Sequence, residues 1–329
     1  MRLIANHPLG TARSHPAIAA LAALAVLAAS PARAVELSFL YTLSDANGPM
    51  RSSWVRLAHD PQAHETFVLD PSEGVVHVFN RSGMETFSFG DDESLGSVTD
   101  VGVLDGGDLV LLTWVRGEMA LVRCNFRGEP RGRVELRGLP AALAGFVPDQ
   151  LRVAAGTLYL ASSRAMRVVA VTPGGAYVRD YDATGVVDRR HAGDAGFTGF
   201  AVDGSGNVLF TIAPLFQAFV LSPEGKLRAF GVRGSSPGKF NVVGGIAADD
   251  AGNLYVTDVL RSVVMVFDPQ LQFLGEFGYR GYAAGNLIAP RDLVVGDGLV
   301  FVTQSAARGV SVFRVEPSRV AESSASPPS

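Results

Sequence analysis

Residues 240–268 read FNVVGGIAADDAGNLYVTDVLRSVVMVFD, and this stretch decides the fold. Ile246-Ala247-Ala248 is a short apolar strand. Asp249-Asp250-Ala251-Gly252-Asn253 makes a turn in which Gly and Asn tolerate positive φ. Leu254-Tyr255-Val256-Thr257 is a second strand and residues 263–267 a third. Phe273-Leu274-Gly275-Glu276-Phe277-Gly278 supplies a fourth, outer strand. Helical periodicity is almost absent from the chain between its two ends, so the unit is one of strands and turns.

Working outward, the same unit recurs. Phe200-Ala201-Val202-Asp203-Gly204-Ser205-Gly206-Asn207-Val208-Leu209-Phe210 repeats the first two strands and their turn, and Phe219-Val220-Leu221 follows as a third. Leu293-Val294-Val295-Gly296-Asp297-Gly298-Leu299-Val300-Phe301-Val302 is a further copy. Weaker copies pair Val103-Leu104-Asp105 with Leu109-Val110-Leu111, and Leu151-Arg152-Val153 with Leu158-Tyr159-Leu160. The first copy sets Leu57-Ala58-His59-Asp60 before Phe67-Val68-Leu69 and residues 75–79. Measured at the middle of the second strand, the copies fall at Phe67, Val110, Tyr159, Leu209, Tyr255 and Phe301, spaced about 43 to 50 residues apart. That is the length of one four-stranded propeller blade. The expected fold is all-β: a six-bladed β-propeller of four-stranded antiparallel blades over residues 35–316. The last copy lacks a fourth strand, and VELSFLYTL at residues 35–43 is the segment expected to supply it and close the ring.

The stretch FGVRGSSPGKFNVVGGIAADDAGNLYVTD at residues 230–258 closely resembles the NHL repeat. The features are Phe-Gly, a Gly-rich loop, Phe-Asn, Gly-Ile-Ala, an acidic turn and Gly-Asn-Leu-Tyr-Val-x-Asp. Phe277-Gly278 through Pro290-Arg291-Asp292-Leu293 looks like a degraded instance. Where the usual third strand opens on Gly-Asn-His-Arg, this chain has Leu260-Arg261-Ser262-Val263. The resemblance implies six blades around a central channel. It does not select a chemistry, because the fold hosts protein binders, RNA binders, lyases and lactonases.

Composition bounds the rest. Of 329 residues, 47% are hydrophobic and 18% charged, which supports a large core. Net charge is −4, with no basic face dense enough for a nucleic-acid partner. The single cysteine, Cys124, permits neither an internal disulfide nor a C-x-x-C site, and in a strand it is expected to be a packed hydrophobe. Residues 1–34 read as an export signal: Arg2 and Arg13 precede an apolar run at 17–29, and Ala32-Arg33-Ala34 offers the cleavage site. Residues 317–329 read as a disordered Ser/Pro-rich tail. The expectation is a periplasmic or extracellular monomer, without a membrane span once the signal is removed.

Candidate binding residues lie where a propeller's channel opens, on the turns joining second to third strands and on the connections between blades. The turns carry Arg116, Arg164, Arg261 and Arg308, with Trp114 beside the first. Arginine offers a rigid fork of donors for carboxylate or phosphate. Exposed hairpin arginines are also commonly just solvated. The long connection at 182–199 carries Arg189, Arg190, His191 and Asp194, and that at 279–291 carries Tyr279, Arg280, Tyr282, Asn286 and Arg291. Such mixtures of aromatic residues and arginine are typical binding anchors.

Metal chemistry has less to stand on. Propeller lyases of the peptide-amidating type, similar in fold, draw histidines from different blades to a channel zinc. Here His59, His64 and His77 share one blade and His191 stands alone; His59 and His64 are expected on the face opposite the channel mouth. Lactonase-type propellers hold calcium with Glu, Asn and Asp; Glu73, Asp100, Asp258 and Asn241 are available in type. No cofactor is expected. The first functional expectation is a binding module for a protein, peptide or glycan at the channel mouth. The alternative is a metal-dependent lyase or hydrolase in the channel.

Overall fold

Side chains alternate across a strand, and in a blade both faces of the sheet are covered, so each strand must serve two cores at once. The quoted stretch does so. Its strands are Val243–Ala248, Leu254–Asp258, Val263–Phe267 and Phe273–Phe277, paired antiparallel in sequence order. Leu254, Val256, Val263, Met265 and Phe267 pack toward the preceding blade, while Tyr255, Val264 and Val266 pack toward the following one. Between the first two strands, the Asp249 carboxylate accepts the backbone N–H groups of Ala251 and Asn253 at 3.0 and 2.8 Å, and Gly252 takes a φ of 81°.

The computed structural model describes residues 36–46, 48–50, 55–90, 94–187, 195–305 and 308–316. In it six four-stranded antiparallel sheets follow one another along the chain. Their first strands are Arg56–Asp60, Ser97–Val103, Gln150–Ala154, Gly199–Val202, Val243–Ala248 and Pro290–Gly296. Each first strand lies beside those of the two neighbouring blades, so together they ring an axis. Six apolar cores fill the six gaps between blades, the last joining blade 6 to blade 1 through Phe301, Val312, Leu57 and Phe79. Among the described residues helix is confined to three single 3-10 turns, and no helix is long and apolar enough to cross a membrane.

Ring closure follows the expectation from the sequence. Glu36–Thr42 runs antiparallel to Val310–Glu316 as the outermost strand of blade 6. A register shift between Phe39 and Tyr41 lets the strand serve both adjoining cores, Leu37 and Phe39 on one side, Leu40 and Tyr41 on the other. Phe39 meets Phe313 edge-on at 5.7 Å. Residues 1–34, read above as an export signal, residues 317–329, read as a tail, and the arginine-rich part of the connection before blade 4 (Arg189, Arg190, His191, Asp194) lie outside the described residues.

Candidate functional site

The six first strands can be aligned on the residues paired with Val68, Leu111, Leu160, Phe210, Val256 and Val302, one position after the second-strand residues that marked the repeat: Leu57, Val101, Leu151, Phe200, Ile246 and Leu293. These positions are uniformly apolar and face the cores. The two residues before each are Val55-Arg56, Thr99-Asp100, Asp149-Gln150, Thr198-Gly199, Gly244-Gly245 and Arg291-Asp292. Ten of those twelve line one pocket of about 400 Å³ at the channel mouth, completed by Thr303 of one second strand and by Pro71 and Val259, each just past the end of another. The volume lies in the range of small-molecule sites. One register of the repeat, read around six blades, is therefore the wall of the pocket.

Blades 4 and 5 contribute Gly199 and Gly244 to that wall, with Gly245 packed behind it. A side chain at Gly245 would strike the backbone and carboxylate of Asp292, and one at Gly199 would strike the backbone of Gly244 and Gly245. Glycine lets the blades close up here, and the polar half of the wall falls to blades 6, 1, 2 and 3.

Beneath the pocket the channel is crossed by charge. Arg152 of blade 3 donates from Nη1 to the Asp100 carboxylate of blade 2 at 3.0 Å and from Nη2 to the Asp292 carboxylate of blade 6 at 3.3 Å. Arg56 of blade 1 stands 3.8 Å from the same Asp292 oxygen. Asp100 also accepts the backbone N–H groups of Val101 and Leu151 at 3.0 and 2.8 Å, and Asp292 that of Leu293 at 2.9 Å. The Arg152 guanidinium lies over the Phe200 ring of blade 4, 5.9 Å from its centroid. Two guanidiniums and two carboxylates from four blades thus neutralise one another near the axis. Burial pushes the Asp100 carboxyl above the ordinary carboxylate range, against the pull of Arg152 and Arg56. Burial also works against the Arg152 charge, but Asp100 and Asp292 outweigh it and hold the guanidinium above its ordinary value.

On the wall above, Asp149 accepts from the backbone N–H of Ser163 at 3.1 Å and from its hydroxyl at 2.7 Å. With that one hydroxyl proton committed, Ser163 can only accept from the Gln150 amide, which donates from Nε2 at 2.6 Å. The carbonyl oxygen of Gln150 is thereby left over. It is one of two buried side-chain polar atoms without a partner among the described residues, the other being Oε2 of Glu276.

The residues singled out from the sequence divide. Arg291 lines the pocket, with Nε donating to Ser305 at 2.9 Å. Trp114, Arg116, Arg164 and Arg280 are exposed on the mouth face, outside the pocket wall. Arg308 lies 5.5 Å from the centroid of the Tyr282 ring and donates to the Tyr282 carbonyl at 3.2 Å. Arg261 turns along its own blade: it donates to Glu276 of the fourth strand at 2.6 Å, with its side chain 12% exposed. The hairpin arginines therefore form no ring about the axis. Arg190 and His191 lie outside the described residues. Exposed large apolar side chains gather on the same face: Trp114, Val147, Val232, Leu260, Tyr279 and Tyr282.

Of the carboxylates and amide considered for calcium, Asp100 is held by Arg152, and Asp258 accepts backbone N–H groups from Asn241 at 2.6 Å and Arg261 at 3.0 Å. Among the described residues no three His, Cys, Asp or Glu side chains are arranged to hold a metal ion. At the axis, where a channel cation would sit, the two carboxylates already face guanidiniums, so this donor set does not fit a metal. His77 pairs with Glu85 at 2.7 Å in its own blade. His59 and His64 meet one oxygen of Asp297 from blade 6, at 3.1 and 2.6 Å, on the face opposite the mouth. Cys124 is fully buried, and burial pushes its thiol up to about 11.

Sequence reasoning missed Arg56, Asp149, Gln150, Arg152 and Asp292. A signal was present. The position after the aligned apolar residue reads Ala58, Gly102, Arg152, Ala201, Ala247 and Val294, so a single long charge interrupts a column of small or apolar residues.

No protein-family model matches the chain, and no curated protein matches it. Solved structures do. A protein of unknown function from Bacteroides thetaiotaomicron aligns at 12% identity with a TM-score of 0.62, covering 85% of this chain and 77% of that one. A virginiamycin B lyase from Staphylococcus aureus aligns at 10% identity and 0.52, covering 86% and 100%. A gluconolactonase from Xanthomonas campestris aligns at 14% identity and 0.54, covering 87% and 92%. At these identities the likeness is one of fold: the chain is a six-bladed β-propeller.

Proposed function

We propose that the protein is an exported NHL-type propeller that works as a binding module, holding a peptide, protein segment or glycan at its channel mouth. The observation that carries this reading is the mouth pocket itself, with Arg56, Asp149, Gln150 and Asp292 in its wall and exposed aromatic residues and arginines around it. Orienting polar groups inside and aromatic anchors around them are what a recognition surface needs. The fixed ion cluster below supports binding over channel chemistry, since its carboxylates are already paired. The NHL assignment is supported by two blade connections built alike: Arg233 bridges to Phe240 before blade 5 and Arg280 to Leu287 before blade 6, with Phe240 and Leu287 both fully buried.

The test is calorimetric titration of the protein lacking residues 1–34 with short peptides and with oligosaccharides, beside a Val259→Trp variant that fills the pocket opening. A ligand that binds the parent protein and is lost in the variant is the expected result. Binding that ignores Val259→Trp, or metal-dependent turnover of a lactone abolished by Asp292→Asn, would overturn the reading. Fractionating cells for the mature chain checks export, which fails if the protein stays in the cytoplasm with residues 1–34 attached.

A further inference from the structure

The mouth pocket is electrically two-sided. In a ring of six, blades 3 and 6 are opposite. Asp149 and the Gln150 oxygen, which has no partner among the described residues, stand on blade 3, while Arg56 and Arg291 stand on the adjoining blades 1 and 6, where the Asp292 carboxylate beside them is already paired with Arg152. The acceptor side is fixed by the Ser163 relay, which orients the Gln150 amide with its oxygen unused. A buried acceptor without a donor costs free energy that a ligand N–H can recover. Among the described residues Arg56 has one ion partner, at 3.8 Å and beyond hydrogen-bond distance, and it keeps a third of its side chain exposed, so its donor fork can still take a ligand carboxylate.

The distance between the two sides is also set. A single arginine side chain, Arg152, reaches from blade 3 to the Asp292 carboxylate of blade 6, and Arg56 lies 3.8 Å from that same oxygen. A ligand spanning the pocket needs its charges about one arginine side chain apart. A free amino acid is too short, whereas a dipeptide at about 3.5 Å per residue extends to roughly 7 Å.

Resting on the reading that the mouth pocket is a ligand site, we propose that its ligand is a short peptide with both termini free. The ammonium group is taken by Asp149 and the Gln150 oxygen, and the carboxylate by Arg56.

The test uses Ala-Ala, its N-acetylated form, its C-terminal amide and free alanine, titrated calorimetrically into the mature protein. Ala-Ala is expected to bind at least tenfold tighter than either blocked form and than alanine. Asp149→Asn should remove the penalty for acetylation and Arg56→Gln the penalty for amidation, each leaving the other penalty in place. Equal binding of blocked and unblocked peptides overturns the assignment, and this comparison needs no variant to fold. If Ala-Ala does not bind but an oligosaccharide or a blocked peptide does, sensitive to Val259→Trp, the free-termini assignment falls and the mouth site stands. If no Val259→Trp-sensitive binding of any kind is found, both fall.

Discussion

Two charged clusters tie blades together from opposite faces of the ring, and they differ in what water can do to them. Under the mouth, Arg56, Asp100, Arg152 and Asp292 join four blades, with Asp100 shut away from solvent and Arg152 largely so. On the far face His59, His64 and Asp297 join blade 1 to blade 6 at the ring closure, with His64 nearly half exposed. The first is built of two guanidiniums and two carboxylates that have exchanged most of their water for one another. The second is built on imidazoles, whose charge is set by the medium. The His59 ring lies so close over Gly296 that any side chain there would collide with it. Guanidinium–carboxylate pairing makes a floor for the pocket, and the His59–Asp297 contact makes a seam whose strength follows pH.

The largest effect expected is at the floor. Arg152→Met leaves two buried carboxylates facing one another and should cost about 3–5 kcal/mol, read as the free energy of denaturant unfolding. Adding Asp100→Asn and Asp292→Asn to the same chain should recover most of the loss. If the triple variant is no more stable than Arg152→Met, the cluster is not what holds the floor.

An intermediate effect is expected at Arg261→Ala, which strips buried Glu276 of its ion partner and should cost about 2 kcal/mol. The same change should leave ligand binding at the mouth untouched, because Arg261 lies along its blade. A loss of binding without a loss of stability would put it back on the rim.

At the seam the signature is pH. Burial holds the His59 imidazole below its ordinary 6.5, against the pull of Asp297. The unfolded chain therefore takes up the proton first, so stability is full above about 6.5 and falls as pH drops from there toward the lowered native value. Burial works upward on Asp297, but its hydrogen bonds and charge interactions with His64 and His59 outweigh it and hold the carboxyl below its ordinary 3.8. Its contribution is present above that value and declines as pH falls through the lowered one, again on the acid side. Thermal unfolding should show a midpoint falling between pH 7 and 5, with a smaller slope in His59→Gln. Asp297→Asn at neutral pH should cost about 1 kcal/mol. An unchanged slope in His59→Gln would remove the titrating role from the seam.

The smallest effects are expected at Arg116→Ala and Arg164→Ala. Both residues are exposed on hairpin turns, and each change should move stability by less than about 0.5 kcal/mol. A larger loss would mean that these turns are held by contacts to the ring.

The fold was legible because blade periodicity is written in apolar residues. Tyr159, Leu209 and Tyr255 mark it along the chain, and Val263 to Phe267 alternate between two cores as a doubly covered strand must. Closure was legible too, since VELSFLYTL is a strand without a partner until blade 6 is counted. The pocket was not. Recurrent arginines on the turns drew attention, yet Arg261 spends its charge on Glu276, fifteen residues along the same blade. The residues that do meet, such as Arg152 and Asp292, are 140 positions apart.

The sequence by itself determined which segments are strands, how many blades there are and where the ring closes, because these depend on local pattern and its period. Only the tertiary structure decided which polar residues face one another. Closing six blades on an axis sets equivalent positions of distant copies side by side or across from each other. What a charge there does is then fixed by the neighbours it meets and by the water it loses.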